Sequence, residues 1–310
     1  MNKPLKYLTL LAAIPLFLCG CKGYRETDSE YFITAVCFEK AGEGFRVYIE
    51  VPDIENDEEG VKSKVFISTG KTPYEAVNGT LSLMPKNAVF DHCGTAVVAS
   101  DIKGEELKSV VKYLYDTKNL NLGIYMFVCD DIEKLLSCES QSAGVGYDIM
   151  AIEKSTQKSS GVDFKNKYYE IVSRQISCGA FCLPEVTGKD GRPAIDGEYV
   201  YSGFDPVAVL DNDEAMLYNL IYSGSKGGEI CVFGKRSRVD SVKPDTKVSG
   251  DTLKISLNCR YRHKSDELSN EIKQAVLDLF LGDTGDKLIK PLDIGKVRRV
   301  KRVEVEVNGE

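Results

Sequence analysis

The chain has 310 residues, 43% of them hydrophobic, with 40 Lys+Arg against 47 Asp+Glu. A formal net charge of −7 excludes the broad basic surface that nucleic-acid binding needs to displace counterions from phosphate. The length suggests two or three domains and ample core.

Chain order begins with an export signal. Lys3 and Lys6 precede an apolar run of 12 residues from Tyr7 to Leu18. A membrane-spanning helix needs about 20 such residues, so the run is too short to be a permanent anchor. Leu18-Cys19-Gly20-Cys21 resembles the bacterial lipobox, in which cleavage leaves the last cysteine as the mature N-terminus and its sulfur carries a diacylglyceryl group. Residues 1–20 therefore read as a lipoprotein signal peptide, and Cys21 as the site of lipid attachment, palmitate being one acyl group of this kind. An ordinary signal that happens to end in cysteine is the alternative. Removing residues 1–20 takes away Lys3 and Lys6 and no acid, which leaves the mature chain at −9. Such a body does not adhere electrostatically to anionic lipid, so acyl chains must hold it, each buried CH₂ contributing about 0.8 kcal/mol.

Tyr31–Phe38 and Phe45–Val51 predict two strands joined by a hairpin across Lys40–Gly44. Asp53–Gly60 is an acidic loop, and Val61–Ser68 alternates like a third strand. Thr72-Pro73-Tyr74-Glu75 announces a helix: threonine caps, proline suits the first turn, and glutamate closes a capping box. Cys93–Ala99 and Leu122–Cys129 are continuous apolar runs, hence buried strands, separated by an amphipathic helix on Leu107, Val110, Val111 and Leu114. Asp130 or Asp131 can cap a helix through Leu136. This strand–helix order implies a right-handed crossover and a parallel pair.

From Glu139 to Gly197 the pattern weakens. Glu153–Asp163 reads as a polar loop, Phe164–Ile176 as a helix, and Lys189–Pro193 as a turn near a domain boundary at 190. Beyond it come a strand at Val207–Leu210, a helix capped by Asp211-Asn212-Asp213 and running through Tyr222, and a turn at Gly224–Gly228. Strands at Glu229–Phe233 and Leu253–Tyr261, a helix on Leu268–Leu279 and a strand at Val297–Val307 complete the chain. The expected fold class is α/β, with mixed parallel and antiparallel sheets flanked by helices. Its domains are expected at 21–190, 191–235 (a small middle domain) and 236–310.

Residues able to carry chemistry are few. Eight cysteines follow Cys21, and Cys37, Cys93, Cys129 and Cys231 sit in apolar runs where a thiol acts as a small hydrophobe. Cys178 and Cys182 are the one local pair that could form a disulfide; no second Cys/His pair at ligand spacing makes them a metal site. Asp91-His92-Cys93 suggests a thiol nucleophile, but neighbours on a strand face opposite ways, so His92 reads as a strand-edge residue. His263 falls in a basic turn, Arg260–Lys264. Gly70-Lys71-Thr72 lacks the glycine five residues upstream that a phosphate loop requires, since Val65 stands there. Lys296, Arg298, Arg299, Lys301 and Arg302, interleaved with valines, fit an edge strand whose charges discourage aggregation, or a patch for anionic headgroups. No catalytic, cofactor-binding or metal set is placed.

Several segments together resemble the Ger(x)C family, the C-subunit lipoproteins of spore germinant receptors. They are Arg25-Glu26 after the lipid cysteine, Gly70-Lys71-Thr72 with Glu75-Ala76, Phe90-Asp91-His92 before a buried strand, and Lys226-Gly227-Gly228 leading into another. The family's Trp-Asp after the cysteine is replaced here by Lys22-Gly23. The resemblance implies successive α/β domains, no catalytic activity and no cofactor. It also implies a lipid-anchored subunit on the extracytoplasmic face of the membrane, the inner membrane of the spore, assembling with membrane-spanning receptor subunits. A surface lipoprotein that captures a solute for a transporter is the alternative function.

Overall fold

The computed structural model describes residues 29–53, 62–118, 120–232, 235–249, 251–261, 266–281, 285–289 and 302–309. In chain order the first elements are β1 (Glu30–Phe32), β2 (Ala35–Ala41), β3 (Gly44–Asp53), β4 (Lys62–Gly70), α1 (Pro73–Ser82), β5 (Asn87–Val89), β6 (Thr95–Ala99), α2 (Glu105–Asp116), β7 (Tyr125–Cys129), α3 (Ile132–Leu136), α4 (Val145–Ser160) and α5 (Tyr168–Ser177). They are followed by β8 (Ala180–Lys189), β9 (Arg192–Ser202), β10 (Asp205–Leu210), α6 (Asn212–Tyr222), β11 (Gly228–Val232), β12 (Lys235–Ser249), β13 (Thr252–Tyr261), α7 (Asp266–Leu281), α8 (Gly285–Leu288) and β14 (Arg302–Gly309).

Eight strands form one mixed sheet in the order β10-β9-β8-β7-β6-β2-β3-β4. Its centre is parallel, β2 with β6 and β6 with β7. The antiparallel β2–β3 hairpin turns through two residues, with Ala41 opposite Gly44. Every residue of β6 and β7 is buried, because helices cover both faces of a parallel centre. Alternation along β2 and β3 assigns the faces. Phe38 packs edge-on against Tyr113 of α2, whereas Ala35 and Glu50, of opposite parity, meet the start of α4.

That meeting is the main polar anchor of the first core. The Glu50 carboxylate is 1% exposed. It accepts from Thr34 Oγ1 at 2.6 Å, from Val145 N at 2.7 Å and from Gly146 N at 2.9 Å. An acid carried on β3 thus satisfies free amides at the helix N-terminus and sits at its positive pole. Gly146 has no room for a side chain: a Cβ there would lie 2.6 Å from Ala35 Cβ and 2.8 Å from Thr34 O.

A second sheet, β11-β12-β13-β14, packs one face on α7. Leu253, Ile255, Leu257 and Cys259 point inward, while Lys254, Asn258 and Arg260 face solvent. Tyr218 of α6 ties this unit together by donating to Leu288 O at 3.0 Å.

The expected α/β class holds, and several boundaries move. Tyr31–Phe38 is interrupted at Ile33–Thr34, because β1 leaves to pair with β5. The strand expected from Leu122 starts at Tyr125, after a turn in which Gly123 N donates to Asn121 Oδ1. Glu153–Asp163 is helix α4 through Ser160 and not a loop; Lys154, Ser155, Lys158 and Ser159 face solvent while Glu153 and Ser160 are buried, and the Glu50 cap that starts the helix lies 95 residues away in sequence. The helix expected from Phe164 begins at Tyr168. Lys189–Pro193 is the tip of the β8–β9 hairpin, Lys189 opposite Arg192. The polar β12 shows no apolar alternation and contains Pro244, which lies past the end of β11, where a missing N–H is tolerated. The C-terminal strand is described from Arg302; residues 297–301 lie outside the described residues.

Removing the anchor should cost far more than removing a surface acid. Glu50→Ala leaves the Val145 and Gly146 amides buried without a partner, while Thr34 Oγ1 keeps the residue-50 carbonyl, and should lower unfolding free energy by about 3 kcal/mol. Glu43→Ala, on the exposed hairpin, should change it by less than about 0.5 kcal/mol. Urea titrations followed by circular dichroism measure both.

Candidate functional site

The residues singled out for chemistry are dispersed. Cys21 and the rest of the lipobox, Cys231's side chain, His263 and Lys296–Lys301 lie outside the described residues. His92 is exposed in a turn and not on a strand; its ring packs edge-on to Phe32 at 5.3 Å, and its carbonyl accepts from Tyr147 OH at 3.2 Å. The neighbouring Cys93 is buried, and its thiol is pushed up to about 12, chiefly by burial. A thiol so protonated is no nucleophile at neutral pH. Cys37 and Cys182 are raised by burial in the same way. Cys178 and Cys182 are free thiols in this structure, Cys178 half-buried beyond α5 and Cys182 enclosed in β8. Among the described residues no group of three or more His, Cys, Asp or Glu is arranged to hold a metal.

Two of the family-like motifs are structural devices. Thr72 Oγ1 accepts from Glu75 N at 3.2 Å, so Gly70-Lys71-Thr72 opens α1 as an N-cap; the expected capping box is not closed, because Glu75 Oε2 accepts from Lys71 N at 3.0 Å, one residue before the Thr72 amide. The Lys226-Gly227-Gly228 turn brings β11 against the end of α4. Lys226 N donates to Gly161 O at 3.0 Å, Ser225 Oγ donates to Ser160 O at 2.9 Å, and a Cβ on Gly228 would lie 2.2 Å from Ser159 O. Glycine is required there because two backbones touch. A cleft of about 540 Å³ opens beside this joint, lined by Lys158, Lys226, Glu229, Arg238 and Asp240 among others.

No sequence pattern marks the buried acids between the two cores. Glu153, on α4, is 1% exposed, and its Oε2 has no hydrogen-bond partner among the described residues. Burial lifts its carboxyl to about 8; Asp163 adds to the rise and Lys167 opposes it. Glu198 on β9 is fully enclosed and raised well above the ordinary carboxylate range by burial, although Asn219 Nδ2 donates to it at 2.6 Å. Nearby, Lys165 bridges Asp163 at 2.6 Å and Glu170 at 3.6 Å. The ammonium groups of Lys167 and Lys154 stand 5.4 and 6.0 Å from the Tyr125 ring centre. Only the apolar positions around these acids were legible in the sequence; that the acids are buried follows from the junction of α4, β9 and α6.

These acids make stability pH-dependent. Glu153 binds its proton more tightly folded than unfolded, so its contribution is complete below about pH 4.5 and is lost as pH rises through about 8. Between those values Glu153→Gln should remove about one proton from the linkage, roughly 1.4 kcal/mol per pH unit. Urea midpoints measured at pH 5.5 and 8.5 should therefore fall less in Glu153→Gln than in the parent.

Comparison with known proteins completes the description. The family model described as "Spore germination protein N-terminal domain" matches residues 23–187. Among solved structures, the chain is similar to one titled "Crystal Structure of the GerBC protein", at 11% identity and a TM-score of 0.40, over 88% of this chain and 96% of that one. No curated protein matches the sequence. With more than half its length matched by the family model, beginning just after the lipobox and ending in β8, the chain belongs to the Ger(x)C family of spore germination proteins.

Proposed function

We propose that the chain is a non-enzymatic, lipid-anchored subunit of a membrane receptor for spore germinants, tethered through Cys21. The observation that carries this reading is the start of the family domain at residue 23, two positions past the lipobox cysteine. An exported chain cut before Cys21 would present the domain directly behind its lipid. Residues 1–20 are the signal that is removed. Among the described residues no helix is long and apolar enough to cross a membrane, so in this reading the acyl chains alone supply the anchor. Confinement to the membrane plane raises the effective concentration of membrane-spanning partner subunits. The raised, buried thiols fit a body whose task is assembly rather than catalysis.

The cleft beside Gly227–Gly228 favours a second reading, capture of a small solute for a transporter. A thermal-shift screen against amino acids and sugars separates the two, because a strong saturable shift supports capture.

Cys21→Ala tests the tether. The variant should keep the urea midpoint of the parent, leave the membrane fraction almost entirely, and slow the germination response of spores that carry it. Retention in the membrane fraction at the parent's level would sink the reading.

A further inference from the structure

The exposed apolar side chains are unevenly placed. Gly94 N donates to Thr34 O at 3.3 Å and Tyr125 N to Gly94 O at 3.0 Å, which aligns the starts of β2, β6 and β7 at one end of the sheet. The chain enters the described structure at this end, through Ser29 and β1. The β2–β3 hairpin marks the opposite end.

Four of the nine exposed large hydrophobics among the described residues gather at the entry end: Leu83, Tyr115, Leu122 and Tyr169. Leu83 ends α1 just before β5, the partner of β1. Tyr115 lies in the last turn of α2, which returns from the far end of β6 to the start of β7. Leu122 occupies the turn before β7, and its carbonyl accepts from Tyr169 N at 3.2 Å. Their exposures run from 49% to 68%, more than packing against this chain would leave. Tyr74, 66% exposed, stands instead at the start of α1, close to the hairpin end where Gly44 meets Gly70.

The length of the N-terminal leash points to what covers this patch. Cys21 precedes Ser29 by eight residues, which reach at most about 28 Å when fully extended. β2 alone is about 20 Å long, so the hairpin end could face the bilayer only with the leash nearly taut along the whole sheet. The entry end needs no such extension. Tyrosine and leucine suit the membrane interface, and Lys112 and Lys118 flank Tyr115 in solvent. Asp53 and Lys62, the flanks of the acidic stretch, also end here; the contact is therefore carried by apolar burial rather than by headgroup charge.

We propose that the entry end of the first core, through Leu83, Tyr115, Leu122 and Tyr169, rests on the lipid bilayer. The proposal depends on the reading of Cys21 as the acylated residue.

The chain has no tryptophan, so single replacements report position without background. Leu83→Trp, Leu122→Trp and Tyr74→Trp are introduced one at a time into the full acylated chain. Each is reconstituted on phosphatidylcholine–phosphatidylglycerol vesicles with brominated acyl chains. Quenching at positions 83 and 122 should be several-fold stronger than at 74, accompanied by blue-shifted emission, and should persist at high salt. If Leu83→Trp does not fold, Tyr169→Trp replaces it as an aromatic-for-aromatic exchange. Equal or absent quenching at the three positions, in protein whose acyl mass is verified, overturns the proposal and leaves the tether intact. A Cys21 without acyl mass overturns both.

Discussion

The structure turns on one buried carboxylate. Glu50 reaches across from β3 to the N-terminus of α4 and accepts from Thr34, Val145 and Gly146 at once. Val145 and Ile149 bury the helix against the first core, and the acid fixes where its N-terminus meets the sheet. With it, α4 is fixed at one end, crosses beneath the sheet, and delivers its C-terminal residues Ser159–Gly161 to the Lys226–Gly228 turn of the second unit. One charge-assisted anchor thus sets the relation of the first core to the second.

Where the two cores meet, the protein tolerates acids that a simple core would reject. Glu153 and Glu198 are enclosed with incomplete hydrogen bonding, and each holds its proton far above the ordinary carboxylate range because of burial. Polar groups kept at such cost constrain geometry more than they add stability. The same burial raises the thiols of Cys37, Cys93, Cys129 and Cys182.

The surface has a direction. The exposed residues Leu83, Tyr115, Leu122 and Tyr169 cluster where the chain emerges, and the outer face of the second sheet is polar, with Lys254 paired to Glu304 at 2.9 Å. An apolar end where the described chain begins and a polar outer face on the second sheet give the molecule two unlike surfaces.

The residues alone determined everything local. Continuous apolar runs marked β6 and β7, Thr72 to Glu75 marked the start of α1, and the i, i+3, i+4 spacing of Leu107, Val110 and Val111 drew α2, because each depends on neighbours within one or two turns. The family resemblance was also carried by short motifs. What the sequence could not convey depended on distant partners. The helix at Glu153–Ser160 read as a loop because its cap comes from Glu50; β12 left no apolar alternation to read, because its order comes from β11 and β13; and Glu153 looked like surface because only the junction of α4, β9 and α6 removes it from water. A side chain's burial and protonation are set by what packs against it, and that is decided by tertiary structure.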